Sequence, residues 1–539
     1  VAGVMSHLRY PTLLVYLLNR SARCDDQTVK VRMAIHERGS IFIKAGVQSR
    51  RAKTYYSHEF VQKVVKADPP YKRCSSAQSK RRLKEYRNEL VTSRGQGDPL
   101  FDDKVINVLM KYAWKQEYVQ KVIDYLNQVT DSEGNLFSRN LKVYSDTQSA
   151  MERFAERDHP SLRWNQNYQK SLEWLKQQFA GTKLRPLSYN SIDDVRRALP
   201  KSNTHSGSYW LMSGKKKKGE NLEEAYATFS QDVKEAKING TFGYPILLGN
   251  RTQASGEFDD YGNETGTCKH KTRVVSMVDL SLIMAELKFS KPFQDRFVNK
   301  SLYAGGKDES LISRFILDWR AHYPKYMSID YSSFDQTISS WLIEDAFSVI
   351  RSCFIMDNED SELFDVIVHD FIHKDFIINE GVIHSDKGVP SGSMFTQIID
   401  TLVNILVVNT YFMSIGFPRH DMMAMGDDNI IFCGNDVDLL HLSTYISKNF
   451  GLIVKVDDKS NEGSTKSHPK FLSRYWTYAG RWRHPKQLIS RLAFPERFRD
   501  YSGVTKPEHV LMAFILTYDK GMRELMDVSR FYQDHPIVA

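Results

Sequence analysis

The chain has 539 residues, too many for one ordinary core, so several subdomains around a shared site are expected. Its 74 Lys and Arg outnumber 65 Asp and Glu, a net charge of +9 that favours attraction to phosphate backbones without requiring it. No apolar run of membrane-spanning length and no signal-peptide pattern is visible, so neither secretion nor membrane insertion is expected.

Along the chain, the first hundred residues mix short apolar runs with basic clusters, Arg50-Arg51-Ala52-Lys53 and Lys80-Arg81-Arg82-Leu83-Lys84, which read as solvated helix faces. The aromatics Tyr55, Tyr56, Phe60 and Tyr71 are interleaved with them. From about Asp102 to Phe179 helical spacing dominates, as Val105, Val108, Leu109 and Tyr112 illustrate. Lys215-Lys216-Lys217-Lys218 is expected to be an exposed loop, because four ammonium groups cannot share a core. The five cysteines, Cys24, Cys74, Cys268, Cys353 and Cys433, show neither metal-ligand spacing nor a disulfide framework.

Tyr326-Met327-Ser328-Ile329 reads as a strand running into Asp330-Tyr331-Ser332-Ser333-Phe334-Asp335. An amphipathic helix follows, with Ile343, Phe347, Ile350 and Phe354 on its buried stripe. Asp330 falls at the strand's end and Asp335 near the helix start, where a carboxylate is commonly just a cap. The turn-rich stretch Lys387-Gly388-Val389-Pro390-Ser391-Gly392-Ser393 then feeds a helix from about Met394 to Tyr411. Gly392 lets backbone approach a ligand. Thr396, Asp400 and Asn404 recur every four residues as a polar stripe, and Ile399, Val403 and Leu406 form the apolar one. Three polar groups are costly to bury unpaired, which favours a polar face aimed at a cleft.

Gly426-Asp427-Asp428, between Met422-Met423-Ala424-Met425 and Ile430-Ile431-Phe432, reads as two apolar strands joined by a turn with adjacent carboxylates. Taken alone it is equally a solvated hairpin. If the strand of Asp330 pairs beside it, Asp330 and Asp427 can hold hard divalent ions in the two-metal arrangement of phosphoryl transfer, with ions roughly 3.5–4 Å apart.

Acid, glycine loop and Gly-Asp-Asp occur in the order of motifs A, B and C of viral RNA-dependent RNA polymerases, which the chain resembles. Lys269-His270-Lys271-Thr272-Arg273 is similar to motif F, Asp457-Asp458-Lys459-Ser460 to the end of motif D, Phe471 to Trp476 to the motif E hairpin, and Asn203 to Gly207 to motif G. The match looks nearest to the partitivirus group, on Gly388 to Gln397 and Arg491 to Phe498, with picobirnaviruses as near relatives.

The resemblance implies an α+β right-hand fold with an antiparallel-sheet palm: an N-terminal extension over 1–100 strapping fingers to thumb, fingers over 101–325, palm over 326–480 with a finger insertion at about 356–387, and thumb over 481–539. It implies nucleotidyl transfer from NTPs on an RNA template, using Mg²⁺, with Mn²⁺ able to substitute. Asp330, Asp427 and Asp428 would hold metal, and Lys459 would protonate the departing pyrophosphate. Lys271 and Arg273 would meet the triphosphate, while Asp335, Ser391, Gly392, Thr396, Asp400 and Asn404 would contact the nucleotide. Asp400 stands where the picornavirus-like pattern has Asn, and an ionised Asp only accepts hydrogen bonds. Template and product RNA and a viral capsid protein are the expected partners, in a virion interior or host cytoplasm. A reverse transcriptase is the competing enzyme, disfavoured because Asp335 stands where such enzymes carry a bulky steric gate. A non-catalytic RNA-binding or capsid-associated protein is the competing class.

Overall fold

The computed structural model describes residues 32–35, 41–44, 101–132, 134, 150–210, 217–378, 381–456, 461–464, 466–496, 499 and 501–536. The basic clusters and aromatics of the first hundred residues, Lys215, Lys216 and Lys459 lie outside them. In chain order the elements are a strand pair, β1 (Arg32–Ile35) and β2 (Ile41–Lys44), and helices α1 (Asp103–Tyr112), α2 (Gln116–Gln128), α3 (Gln166–Gln177), α4 (Ile192–Ala198) and α5 (Lys218–Asn239). There follow β3 (Ile246–Ser255), β4 (Lys269–Met277), α6 (Leu280–Phe297), α7 (Glu309–His322), β5 (Lys325–Ser328), β6 (Tyr331–Ser332), α8 (Phe334–Thr337), α9 (Ser340–Ser352), α10 (Asn358–Ile372), β7 (Lys374–Ile378) and β8 (Gly381–Ser385). The last part holds α11 (Thr396–Ser414), β9 (His420–Met425), β10 (Asp428–Cys433), α12 (Leu439–Phe450), β11 (Ile453–Val454), β12 (Asn461–Ser464), β13 (Lys470–Phe471), β14 (Arg474–Thr477), β15 (Gly480–Trp482), α13 (Pro485–Ala493), α14 (Pro507–Thr517), α15 (Asp519–Leu525) and α16 (Val528–Asp534).

Two four-stranded sheets organise the centre. One has the order β12-β5-β10-β9 and is antiparallel throughout. Met422 to Met425 of β9 and Ile430 to Cys433 of β10 are continuously apolar because both faces are covered. Met422, Ala424, Ile431 and Met327 pack into the main helical core, while Met423, Ile430, Phe432 and Tyr326 pack on Trp319, Phe471 and Trp476. The second sheet, β4-β3-β7-β8, takes β7 parallel to β3, pairing Ile246 with Phe376. The stretch 356–387 therefore returns to the sheet of β3 and β4.

Helix α11 runs behind the first sheet, and every residue from Ile398 to Tyr411 is buried. The expected one-sided apolar stripe gives way to complete enclosure, with Asp400, Thr401, Asn404, Asn409 and Thr410 buried among the apolar residues. Helix α9 buries Ile343, Phe347 and Ile350 as expected, and ends at Ser352, short of Phe354.

Helices α1 and α2 share a core with α13 to α16 through Val105, Leu109, Val119, Leu492, Ile515 and Phe531, and with Ala254 of β3. One expectation changes. The Lys run does not form an exposed loop to its end: Lys218 opens α5 and is 7% exposed. Burial lowers its pKa, offset by Glu286 and Asp279. The segment joining β3 to β4 reaches the C-terminal region, where Asp260 accepts from Lys470 and Tyr475 and Glu257 accepts from Ser490. Arg251 pairs with Glu496.

Candidate active site

The hairpin turn is two residues long, closed by the pair Met425 and Asp428, with Gly426 at φ 64°. Only glycine takes that backbone without strain. Strand β5 lies beside β10 in register Met327 to Ile431, which brings Asp330, two residues past the end of β5, to the turn carrying Asp427. Sequence-distant acids therefore meet because β5 and β10 are neighbours.

The electrostatics record that meeting. Burial, then repulsion from Asp427 and Asp330, pushes the Asp428 carboxyl up to about 7. Burial and Asp330 push Asp427 upward too, with Arg273 and Lys271 opposing. Among the described residues no group of three His, Cys, Asp or Glu is arranged to enclose a metal ion. That does not disfavour Mg²⁺, which usually keeps several waters and takes one or two carboxylates plus substrate phosphates. Mutually repelling carboxylates with oxygen donors fit such an ion.

Asp330 and Asp427 border a cleft of about 1570 Å³, lined also by Lys271, Arg273, Asp335, Ser391, Gly392 and Lys455. Lys271 and Arg273 alternate along β4 and so share one face. Asn203, Thr204 and His205 of the motif-G-like stretch lie on the same cleft.

Asp335, at the cleft wall, and buried Asp400 form a carboxyl pair. Desolvation, then Asp427, raises Asp335 to about 6; burial, then Asp335 and Asp427, raises Asp400 well above the usual carboxylate range. Like charges this close cannot both ionise readily. One oxygen of Asp400 has no hydrogen-bond partner within the protein.

Two residues expected on the nucleotide are committed elsewhere. Asn404, fully buried, donates to the carbonyls of Gly426 (3.0 Å) and Asp427 (3.1 Å) and accepts from Asn429 (2.8 Å) and Tyr331 (3.3 Å). These bonds tie α11 to the turn. Thr396 donates to the carbonyls of Pro390 (2.7 Å) and Ser393 (2.9 Å), folding the glycine loop onto the helix start. Of the residues expected on the nucleotide, Asp335, Ser391 and Gly392 line the cleft.

Sequence reasoning missed four residues. Thr401 accepts from the Gly426 N–H at 2.8 Å, and Asn429 accepts from the Ile329 N–H at 3.2 Å. Lys455 pairs with Asp330, and Ser276 donates its N–H to Ser391 Oγ at 2.9 Å. Asn429 carried a readable signal, being a polar residue inside the apolar run after the turn. The others act through pairings that only the fold creates.

The family model described as viral RNA-dependent RNA polymerase matches residues 114–497. The chain is similar to an RNA-directed RNA polymerase of Cryptosporidium parvum virus 1 (strain KSU-1), 29% identical over 163 residues, 28% of this chain and 30% of that protein. It is similar to another from Atkinsonella hypoxylon virus (isolate 2H), 31% identical over 122 residues, 20% of this chain and 18% of that one. The matched stretches thus span under a third of these relatives. The structure is similar to that of a loop-deleted RNA-dependent RNA polymerase of a human picobirnavirus, with TM-score 0.59 and 15% identity over 84% of this chain and 91% of that one.

Proposed function

The chain belongs to the viral RNA-dependent RNA polymerase family, and from that membership we propose that it copies an RNA template from NTPs to replicate and transcribe the genome of a double-stranded RNA virus. The observation that carries the reading is the neighbouring of β5 and β10, which sets Asp330 beside the Asp427-Asp428 turn at the floor of a cleft with basic residues on β4. The relatives from Cryptosporidium parvum virus 1 and Atkinsonella hypoxylon virus support the double-stranded RNA setting.

In this reading Asp330 and Asp427 hold Mg²⁺, with Mn²⁺ as a substitute, and Asp428 supports them. The ions, when bound, lower the pKa of the 3′-hydroxyl and stabilise charge on the leaving pyrophosphate. Lys271 and Arg273 neutralise the triphosphate where negative charge builds up. Lys459, by resemblance to motif D, donates the proton that pyrophosphate takes. The Asp335 and Asp400 pair, holding one proton between them, offers a donor and acceptors to the ribose 2′-hydroxyl, the group by which a protein tells RNA from DNA. Ser391 and Gly392 hold the sugar from the other side. A capsid protein partner and work within a virion or host cytoplasm belong to the same proposal.

Purified chain supplied with template, Mg²⁺ and labelled NTPs should form RNA, and Asp427→Ala almost none. Product from dNTPs as readily as from NTPs would favour a reverse transcriptase. RNA retention without product would favour a binding protein.

A further inference from the structure

The glycine loop between β8 and α11 is held at its two ends by buried side chains of opposite charge that no catalytic step uses. Lys374, 4% exposed, donates from Nζ to four carbonyls: Phe371 (2.8 Å) and Ile372 (3.0 Å) at the end of α10, and Lys387 (2.9 Å) and Gly388 (2.8 Å) at the start of the loop. Three N–H bonds spread over four acceptors leave it saturated. Burial pushes its pKa down to about 7.

Glu286, 1% exposed on α6, takes the other end. One carboxylate oxygen accepts from Ser393 Oγ and the other from the Met394 N–H, each at 2.7 Å. Burial pushes its carboxyl up to about 7, against the hydrogen bonds and the charge of Lys218. Burying an ion costs several kcal/mol unless its hydrogen bonds are filled, and here the loop fills them.

Between the two anchors the loop lies on β4. Ser391 Oγ accepts from the Ser276 N–H, and a Cβ on Gly392 would fall 1.9 Å from the Ser276 carbonyl oxygen. Ser276 is three residues beyond Arg273 on the same strand. The anchors therefore fix how Ser391 meets the strand that carries the triphosphate-facing side chains, and Glu286 also fixes the start of the helix that carries Asp400.

Resting on the polymerase reading, we infer that Glu286 and Lys374 are positioning residues for nucleotide selection: they clamp the loop so that Ser391 and Asp400 meet an incoming ribonucleotide in one geometry. Neither touches the nucleotide. Their removal acts on the loop.

The test is single-nucleotide incorporation of ATP and dATP by wild type, Glu286→Ala and Glu286→Gln, beside amide hydrogen exchange over residues 387–396. Glu286→Ala should raise KM for ATP about tenfold, lower the preference for ATP over dATP several-fold, change kcat less, and speed exchange at Met394. Glu286→Gln should restore most of this, since its amide oxygen accepts from Met394 and its NH₂ donates to Ser393 Oγ. Unchanged KM, unchanged preference and unchanged exchange in the folded Ala variant would overturn the inference, as would a Gln variant no better than Ala. If the Ala variant does not fold, Ser393→Ala removes one of the two bonds by a single atom. It should raise KM about threefold, and no change there would overturn the clamp. A wild-type chain that makes no RNA contradicts the function proposed above, while the exchange measurement still decides whether the clamp exists.

Discussion

Lys455 Nζ lies 3.0 Å from Oδ2 of Asp330 and 3.2 Å from the carbonyl oxygen of Tyr331, with both charged side chains 30% exposed. The ammonium supplies positive charge where the proposed reaction needs a divalent ion, so ion and lysine compete for one carboxylate. Lys455→Met should tighten Mn²⁺ binding without nucleotide by several-fold, read by isothermal titration. Equal or weaker affinity would remove the competition.

Gly392 has no room for a side chain. A Cβ there would meet the Ser276 carbonyl oxygen at 1.9 Å, backbone that cannot swing aside. Gly392→Ala should cut kcat/KM by about a hundredfold while costing roughly 1–3 kcal/mol in stability, since the loop yields before the core does. Activity near wild type would show that the loop does not need its contact with β4.

Asn404 joins α11 to the metal-site turn through two donated and two accepted hydrogen bonds. Asn404→Asp cannot donate and sets a carboxylate against two carbonyls, so it should be worse than Asn404→Ala, each losing roughly 2–4 kcal/mol in thermal melts. An Asp variant as stable as wild type would contradict this assignment.

The Asp335 and Asp400 pair makes a pH-dependent prediction. Both carboxyls are raised in the folded chain, so the fold binds their protons more tightly than the unfolded chain does. Their contribution is complete below about pH 4 and is lost as pH rises through their raised folded values, about 6 for Asp335. Asp400→Asn keeps a donor to Asp335 and removes one charge. It should raise the metal-free melting temperature at pH 8 by roughly 2–4 °C and leave it nearly unchanged at pH 4. A larger gain at pH 4 than at pH 8 would reverse the sign of the account.

What could be read from the sequence was local. The Gly-Asp-Asp hairpin was legible because a glycine turn between two apolar runs carries its own geometry, whereas the hairpin of Phe471 to Trp476, whose turn residues Leu472 and Ser473 take positive φ without glycine, was legible only through its resemblance to motif E. The strand before Asp330 was legible as a strand, but its pairing with β10 was only a condition the metal reading needed, and the fold supplies it. The bonds of Asn404 to the turn were not legible, because an i, i+4 stripe tells which residues share a helix face and not what covers that face; here β10 and its turn cover it. Lys218 was misplaced because a charge run suggests solvent, whereas buried Glu286 and Asp279 offset its charge from elements some sixty residues away. The joining of α1 and α2 to the C-terminal helices left no trace in spacing, since amphipathic helices with the same period suit any apolar surface.

The central claim is that carboxylates of Asp330 and Asp427, more than ninety positions apart, hold divalent ions beside an incoming nucleotide. Anomalous diffraction from crystals soaked with Mn²⁺ and a non-hydrolysable NTP tests it most directly. Mn²⁺ density between those two carboxylates and the triphosphate, lost in Asp427→Ala, is the predicted result. Nucleotide in the cleft with Mn²⁺ absent from Asp330 and Asp427 would contradict it.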